Sequence, residues 1–341
     1  MTVRTLIVDD SPTMRALLAG LLRRDPEIEV VGTADRASVA RQMIKDLDPD
    51  VVTLDIEMPE MNGLDFLDKI MRLRPTPVVM VSTLTRAGAD ATLRALELGA
   101  VDCYPKPEGG MADLMCLDDG VLAGKVKQAA RSRRRARLEP STPIAPQADF
   151  AWNGRYLAIG ASTGGVEALG TLLARFPENC PPTLIVQHMP PLFTTCFAGR
   201  LDNTIAPRVV EMQDDDLLEQ GTVYIAPGGT RHAMVRGSQK PHVRLVEAPP
   251  INGHCPAVDV LFRSVAQCLG ERAVGIILTG MGNDGAQGLR EMREVGASTI
   301  GQNEASSLIY GMPRVAAQIG AVEEELALDR IAKRALELCS R

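Results

Sequence analysis

Residues 5–11 of this chain read TLIVDDS, a short apolar run followed by two aspartates and a serine. The run Thr5–Val8 has the length and composition of a buried strand, and a helical pattern over Ser11–Arg23 follows it. Strand-like and amphipathic helical segments continue to alternate up to about residue 110. This alternation predicts a parallel sheet covered by helices.

A second series of the same kind begins near Tyr156. Its strand-like segments are Tyr156–Ile159, Thr183–Val186, Val223–Ile225, Val243–Val246 and Val274–Leu278. Between the two series, a helical pattern over 112–131 leads into an arginine run over 131–137 and then prolines at 140, 143 and 146, which is typical of a linker. We therefore expect an α/β protein with two doubly wound parallel-sheet domains. The first occupies residues 1–130, the linker 131–150 and the second 151–341.

Composition excludes several classes of protein. A chain of 341 residues with 45% hydrophobic and 23% charged residues is long enough for two globular cores. The net charge of −6 argues against a nucleic-acid partner, and the arginine run is better explained as the end of a helix, where cations are favoured. Seven cysteines without C-x-x-C spacing indicate neither zinc nor a disulfide framework. No segment predicts export or membrane insertion, so we expect a cytoplasmic protein.

Acidic residues follow two strands of the first series. Asp9 and Asp10 come directly after Thr5–Val8, and Asp55 comes directly after Val51–Leu54. Since ligands bind at the carboxyl edge of a parallel sheet, these three carboxylates predict a Mg²⁺ site there. The alternative is that the aspartates only cap a helix and start a turn. Two later positions at the same edge, Ser82 and Lys106, could hold phosphoryl oxygens.

These residues resemble a response-regulator receiver domain. The resemblance rests on Val8-Asp9-Asp10-Ser11, on the segment from Asp55 to Gly63, on Ser82 and on Lys106-Pro107. It implies a flavodoxin-like fold in which Asp55 accepts a phosphoryl group from a histidine kinase. It also implies that Asp10, Asp55 and the Glu57 carbonyl bind Mg²⁺, that Asp9 acts mainly through water, that Ser82 contacts the phosphoryl group and that Lys106 pairs with it.

One position departs from the receiver pattern. Receivers commonly carry an aromatic residue three positions before the lysine, and here that position is Cys103, followed by Tyr104. The chain therefore lacks the usual aromatic switch residue at its usual place.

A glycine-rich turn follows the first strand of the second series. Gly160-Ala161-Ser162-Thr163-Gly164-Gly165 places Ser162 in a G-x-S-x-G turn between a strand and a helix, where a serine can act as a nucleophile. The alternatives are an ordinary strand-to-helix turn or a phosphate cradle, and for the cradle both G-x-G-x-x-G and a following lysine are missing.

Two further triad-type residues follow strands of this series. His188 comes after Thr183–Gln187, and Asp284 comes after the strand at 274–279 through a glycine-rich loop. Each has an ordinary structural alternative, a lone histidine or a turn-forming aspartate, but three such residues at strand ends together predict a Ser-His-Asp site. His232 and His254 lie in Gly- and Pro-rich loops and are candidate substrate contacts, whereas His242 has the weakest case.

The second domain resembles the chemotaxis protein-glutamate methylesterases. The resemblance rests on the Ser162 turn, Gln187-His188-Met189, Ala226-Pro227-Gly228-Gly229 and the segment from Gly280 to Gly285. It implies a Rossmann-like fold with Ser162 as nucleophile, His188 as base then acid, and Asp284 orienting His188. Thr163 and Met281 are expected as oxyanion or substrate contacts, and the esterase step needs no cofactor.

The resemblance also implies the biological setting. The substrate is a methylated chemoreceptor cytoplasmic domain, glutamine deamidation accompanies ester hydrolysis, and the unphosphorylated receiver covers the catalytic cleft. Two rivals remain at this point. One is a response regulator whose second domain only binds a partner or DNA, although no helix-turn-helix pattern stands out there. The other is a serine hydrolase that acts on a small ester.

Overall fold

The computed structural model describes residues 2–83, 85–106, 118, 120–132 and 150–341. The chain divides into two compact units, Met1–Arg137 and Leu138–Arg341. Most of the expected linker, Pro107 and residues 112–117 of the expected helix lie outside the described residues. The boundaries at residues 130 and 151 stay predictions.

The first unit contains a five-stranded parallel sheet in the order β2-β1-β3-β4-β5. The strands are β1 Val3–Val8, β2 Ile28–Ala34, β3 Val51–Asp55, β4 Val78–Ser82 and β5 Asp102–Pro105. The helices are α1 Pro12–Leu22, α2 Ala37–Leu47, α3 Gly63–Leu73, α4 Arg86–Glu97 and α5 Val121–Arg131. This is the expected flavodoxin-like order, and the strand order reverses between β1 and β3.

Local sequence explains where these helices begin. Ser11 accepts a hydrogen bond from Met14 N–H at 3.3 Å, and Pro12 occupies the first turn of α1, where its missing N–H costs nothing. Asn62 caps α3 in the same way through Asp65 N–H at 2.9 Å. Strands β3 and β4 are buried along their whole length, as expected for central strands of a sheet covered on both faces. These elements place the acidic residues at the carboxyl edge.

The second unit contains a seven-stranded parallel sheet in the order β14-β13-β12-β6-β7-β9-β8. Its strands are β6 Tyr156–Ala161, β7 Thr183–Gln187, β8 Arg208–Glu211, β9 Thr222–Ile225, β12 Ala273–Ile277, β13 Ser298–Gln302 and β14 Glu324–Leu326. Its helices are α6 Gly165–Leu173, α7 Phe193–Asp202, α8 Val258–Leu269, α9 Ala286–Glu294, α10 Met312–Gln318 and α11 Leu328–Leu338. A short 3₁₀ turn, Gly270–Arg272, joins α8 to β12.

Two strands stand outside this sheet. β10 Arg231–Arg236 and β11 His242–Glu247 form a separate antiparallel ribbon, and β10 packs against α8. The strand expected at Val243–Val246 is therefore present, but it does not extend the parallel sheet. The reason is its short connection to β10, because an antiparallel pair needs only a tight turn whereas a parallel pair needs a crossover.

The strand order brings three loops together in the second unit. β6 lies at the centre of the sheet between β12 and β7, so the carboxyl ends of these three strands are neighbours. The chain leaves β6 toward β7 on one side and returns to β12 on the other, which makes this the topological switch point where open α/β sheets bind ligands. Ser162 follows β6, His188 follows β7 and the loop with Asp284 follows β12. Among the described residues, no helix has both the length and the apolar character needed to cross a bilayer.

Candidate functional site

The first unit gathers three carboxylates at its sheet edge. Oxygen atoms of Asp9, Asp10 and Asp55 all lie within 4.8 Å of one another. Asp9 and Asp55 are buried, whereas Asp10 is exposed. Lys106 places its Nζ 3.0 Å from Asp9 Oδ2 and 2.7 Å from Asp55 Oδ2. One ammonium thus faces two buried carboxylates, with a third beside them.

The charges in this cluster perturb Asp55. Burial raises the pKa of Asp55 to about 6, and the nearby Asp9 charge adds to the increase, while the Lys106 ammonium opposes it. Burial favours the neutral form of Lys106 as well, but its contacts with Asp55 and Asp9 leave its pKa above the ordinary value. An excess of negative charge on hard oxygen donors fits a divalent cation such as Mg²⁺, for which these three aspartates are suitable ligands.

The helix-capping alternative accounts for only part of this arrangement. Asp9 Oδ1 does accept the Ser11 N–H at 2.9 Å, but Ser11 itself caps α1. Asp55 Oδ1 accepts the Glu57 N–H at 3.3 Å. In both residues the second oxygen, Oδ2, remains directed at Lys106. The carboxylates therefore face one another as well as the backbone.

The Ser82 hydroxyl group contacts helix α4. Its Oγ lies 2.8 Å from Thr92 Oγ1 and 3.3 Å from the Gly88 carbonyl oxygen, and Thr92 Oγ1 lies 2.7 Å from the same carbonyl. Both hydroxyl residues are buried. A rotation of Ser82 toward a phosphoryl group would therefore break a contact with the first turns of α4. Sequence reasoning missed Thr92, because a threonine within a helical pattern carries no signal of its own.

Cys103 and Tyr104 are both buried in β5. Burial, reinforced by the neighbouring Asp102 charge, raises the pKa of the Cys103 thiol to about 12, so it is an inert core group. Burial and the nearby Asp118 carboxylate raise the pKa of Tyr104, and this carboxylate accepts the Val121 N–H at 2.7 Å at the start of α5. The aromatic ring of this strand is therefore anchored next to α5.

Ser162 lies in a tight turn between β6 and α6. The turn is closed by a hydrogen bond from Gly165 N–H to the Ser162 carbonyl at 2.7 Å, and Ser162 N–H donates to the Thr279 carbonyl at 3.0 Å. Gly164 precedes the helix with φ of 78°, in the left-handed region that glycine adopts without strain. Ser162 is half-buried and directly follows β6, at the carboxyl edge of the sheet.

Neighbouring loops hold this turn closely. Gln187 Nε2 donates to the Ser162 carbonyl at 2.9 Å, which links the ends of β6 and β7. On the other side, a Cβ added to Gly280 would lie 2.7 Å from Ser162 Cβ, so only glycine permits the loop after β12 to approach this closely. Sequence reasoning used Gln187 only as part of Gln187-His188-Met189 and predicted no contact for it, since this contact depends on the register between the two strands.

His188 and Asp284 are hydrogen-bonded. The distance from His188 Nε2 to Asp284 Oδ2 is 2.8 Å, and the two side chains are 8% and 1% exposed. Because an ionised carboxylate only accepts hydrogen bonds, Nε2 carries the proton. Nδ1 is then the unprotonated nitrogen, and it is buried without a hydrogen-bond partner among the described residues. The imidazole is thus set up to accept a proton at Nδ1.

Ser162 lies at the end of the strand that neighbours the strand leading to His188. Ala161 and Gln187 are paired across β6 and β7, and His188 N–H donates to the Ala161 carbonyl at 3.2 Å. The next residue on each strand is Ser162 or His188, so the two emerge side by side. No hydrogen bond links Ser162 Oγ to His188 Nδ1 in the described structure. Such contacts are often long before substrate binds.

The start of α8 stabilises the charge on Asp284. Oδ2 accepts the Val258 N–H at 2.7 Å, and Oδ1 accepts the Asp259 N–H at 3.1 Å. Burial alone raises the pKa of Asp284, but the hydrogen bond and charge of His188 and these two N–H groups more than offset it, so the pKa is lowered. A carboxylate at a helix N-terminus is also favoured by the helix dipole. Asp284 is therefore ionised at neutral pH.

The two expected oxyanion or substrate contacts differ in exposure. Thr163 is 7% exposed and its carbonyl accepts a hydrogen bond from Thr279 Oγ1 at 3.0 Å. Met281 is 45% exposed and directly follows Gly280, which abuts Ser162. The Met281 backbone N–H has no partner in the described part of the chain. Both roles stay predictions.

The other three histidines differ in burial and in the groups that they contact. His232 is 1% exposed, its Nδ1 accepts the Ala257 N–H at 3.1 Å and its Nε2 lies 3.1 Å from the Pro249 carbonyl, which leaves no surface for a substrate. His242 lies in β11 and bonds the Lys240 carbonyl. His254 stacks on His188, with 3.7 Å between ring centroids and 8° between ring planes. Only His254 is near the candidate triad.

Comparisons with known proteins identify two domains in this chain. The family model described as CheB methylesterase matches residues 157–335, and the response regulator receiver domain model matches residues 5–115. The protein-glutamate methylesterase/protein-glutamine glutaminase of Agrobacterium fabrum is 56% identical over 341 residues, covering 98% of this chain and 96% of that protein. The protein-glutamate methylesterase/protein-glutamine glutaminase 1 of Caulobacter vibrioides is 56% identical over 340 residues, covering 99% and 98%.

A solved structure is similar to the second unit. The crystal structure of the Thermotoga maritima CheB methylesterase catalytic domain is 34% identical, with a TM-score of 0.53, and the match covers 55% of this chain and 99% of that one. The chain therefore belongs to the CheB methylesterase family, with a response regulator receiver domain ahead of the methylesterase domain.

Proposed function

We propose that this chain is a phosphorylation-activated hydrolase that removes methyl groups from glutamate methyl esters of chemoreceptors and releases methanol. It also converts receptor glutamines to glutamates, with ammonia as the leaving group. The observation that carries the proposal is the pair His188 and Asp284, joined at 2.8 Å, whose open Nδ1 lies at the same sheet edge as Ser162. The fold brings these groups together at the switch point.

In the first half of the reaction, His188 Nδ1 takes the proton of Ser162 as Oγ attacks the ester carbonyl. The ring then carries a positive charge, which the ionised Asp284 stabilises at Nε2. The tetrahedral oxyanion lies near N–H groups of the turn after Ser162 and of Met281. The intermediate collapses when the methoxide leaves with the proton from Nδ1, which yields methanol and an acyl-serine.

The second half repeats these steps with water. Nδ1 accepts a proton from the attacking water, a second tetrahedral intermediate forms, and Ser162 leaves with that proton. The products are the free glutamate carboxylate and the regenerated serine. No metal or cofactor takes part in this cycle.

The receiver unit supplies the control. Asp55 accepts the phosphoryl group from the histidine kinase of the chemotaxis system. Asp9, Asp10 and Asp55 would hold a Mg²⁺ ion, which would neutralise negative charge on the phosphoryl group. Ser82 and Lys106 contact the phosphoryl oxygens. The added charge of about −1.5 to −2 releases inhibition of the esterase by the receiver. The enzyme acts in the cytoplasm, where the receptor tails and the kinase are found.

The test is a methanol-release assay on methylated receptor, with and without a small-molecule phosphodonor and Mg²⁺. Ser162→Ala should abolish methanol release, whereas Ser238→Ala, at an exposed serine of the second unit, should leave it unchanged. A parallel assay on a small model ester separates a receptor-specific enzyme from a general esterase. Methanol release by Ser162→Ala at the wild-type rate would reject the assignment.

A further inference from the structure

His254 contacts the candidate base through a ring face. It lies in the segment 248–257, which connects β11 to α8, and its imidazole stacks on His188 with centroids 3.7 Å apart and planes 8° apart. Asp284 contacts His188 at an edge, through Nε2. His188 is thus held by two different groups, one in its ring plane and one above it.

The segment that carries His254 is fastened at both ends. The buried His232 of β10 accepts the Ala257 N–H at Nδ1, so its Nε2 carries the proton and donates it to the Pro249 carbonyl. Between these points, Ile251 and His254 exchange two backbone hydrogen bonds of 3.0 and 2.9 Å. One imidazole therefore ties the start of the segment to its end, and the closed turn presents His254 to His188.

The same turn reaches the acidic partner. Asn252 Nδ2 lies 3.4 Å from Asp284 Oδ1 and 3.1 Å from Asp259 Oδ2. Asn252 has φ of 54°, a left-handed conformation that asparagine tolerates better than most residues. The turn therefore contacts both members of the His188 and Asp284 pair.

We propose that His254 is a positioning residue for the hydrolytic reaction, and this inference rests on the proposed function. A single hydrogen bond at Nε2 restrains the His188 ring at one atom and only partly limits rotation of the ring plane about the Cβ–Cγ bond. A flat ring stacked on its face removes this rotation and keeps Nδ1 directed along one line. Loss of such alignment slows a reaction even when substrate still binds.

The stack also imposes a charge requirement. When His188 becomes an imidazolium during catalysis, the face of a neutral His254 is an attractive neighbour, whereas a second imidazolium at 3.7 Å would repel it. Among the described residues, the charged and titratable groups near the pair include the Asp284 carboxylate on His188, the Asp259 carboxylate beside Asn252 and the thiol of Cys255, which follows His254 in the chain. The proposed role therefore requires an uncharged His254 ring while His188 carries the proton.

Two substitutions of His254 distinguish the effect of a flat ring from the effect of side-chain volume. His254→Phe keeps a flat ring without titratable nitrogens, and His254→Leu keeps a side chain of similar size that is not flat. On methylated receptor with the full-length protein, we expect His254→Leu to lower kcat roughly ten-fold with little change in KM, and His254→Phe to recover most of the loss. A substrate contact would instead raise KM.

A spectroscopic readout makes the test independent of turnover. The chain has four histidines, so the ring ¹⁵N signals of His188 can be assigned by substitution. We expect one protonation pattern, with the proton on Nε2, in the wild type and in His254→Phe, and exchange broadening or a second tautomer in His254→Leu. Failure of the wild type to release methanol would count against the proposed function, while these signals would still decide the role of the stack.

Three outcomes would overturn the positioning role. They are a wild-type kcat in His254→Leu, an effect confined to KM, or His254→Phe as impaired as His254→Leu. Folding of each variant is checked by thermal unfolding followed through Trp152, the one tryptophan of the chain. If His254→Leu does not fold, His254→Phe and the ring signals decide the question, since altered His188 signals in a folded His254→Phe reject the flat-face mechanism.

Discussion

His188 donates a hydrogen bond from Nε2 to Asp284 Oδ2 over 2.8 Å, so the nitrogen left to accept a proton is Nδ1. This polarity follows from the carboxylate, which can only accept, and from two backbone N–H groups of α8 that already stabilise its charge. In the proposed function, Asp284 therefore decides which nitrogen of His188 serves as the base.

Asp284→Asn should reduce kcat by roughly a thousand-fold or more. The amide has the shape of the carboxylate, but its NH₂ can donate to Nε2, which moves the imidazole proton to Nδ1 and blocks the base. The measurement is methanol release from methylated receptor. The matched control is Asp215→Asn, because Asp215 is 75% exposed and has φ of 67°, where asparagine fits well. Equal losses in both variants would contradict the tautomer argument.

Asp284 should also contribute to acid stability. Its pKa is lowered in the folded protein, so its contribution is fully present above the ordinary value of 3.8 and is lost as pH falls through the lower folded pKa. In denaturant titrations followed by Trp152 fluorescence, the free energy of unfolding should therefore fall more steeply below pH 4 in the wild type than in Asp284→Asn. The difference is bounded by about 1.4 kcal/mol per pH unit for one proton. Parallel curves would show that the carboxylate is not stabilised by folding.

Mg²⁺ should bind the cluster of Asp9, Asp10 and Asp55. Asp10 is exposed, so Asp10→Asn removes one oxygen ligand and one charge without disturbing the core. We expect titration calorimetry to show Mg²⁺ affinity at least about ten-fold weaker, which is about 1.4 kcal/mol. Asp46→Asn, an exposed acid on α2, removes the same charge elsewhere and should have little effect. Unchanged affinity in Asp10→Asn would exclude Asp10 from the metal site.

Removal of residues 1–140 should raise esterase activity measured without a phosphodonor by several-fold. The reason is that, in the proposed function, phosphorylation acts by relieving inhibition, and deletion of the receiver removes the inhibitor itself. Asp55→Asn in the full chain should stay at the low basal rate, since it keeps the receiver but cannot be phosphorylated. A truncated protein that unfolds normally by Trp152 fluorescence yet shows basal or lower activity would argue against an inhibitory receiver.

The two sheets, and the strand ends that carry the candidate site residues, could be predicted from the sequence because they depend on local patterns. Apolar strands followed by Asp9, Asp55, Ser162 or His188 can be recognised from neighbouring residues, and parallel sheets place such ends at one edge. Resemblance to known families then assigned roles to positions within those patterns. The ribbon of β10 and β11 was not anticipated, since a short apolar run does not reveal which sheet it joins.

Some features of the site were outside the reach of sequence reasoning. Thr92 belongs to no motif, and Gln187 belongs to the Gln187-His188-Met189 motif that reveals nothing of its contacts, because the contacts of both residues depend on strand register and helix rotation. His232 and His254 looked alike in sequence, since both have glycine and proline residues nearby, and the structure places His232 in β10. Burial separates them, because one fastens a segment from inside while the other faces the candidate base.

The sequence by itself determined the two α/β units. It also indicated an acidic cluster at the carboxyl edge of the first sheet and a serine, a histidine and an aspartate at the carboxyl edge of the second sheet. These features could be predicted because strand periodicity and turn composition are local properties. Only the tertiary structure decided which nitrogen of His188 meets Asp284 and which ring covers its face. His188 and Asp284 are 96 positions apart in the chain, and their contact depends on the orientation of both side chains. Packing across several strands imposes this orientation, and no local sequence pattern encodes it.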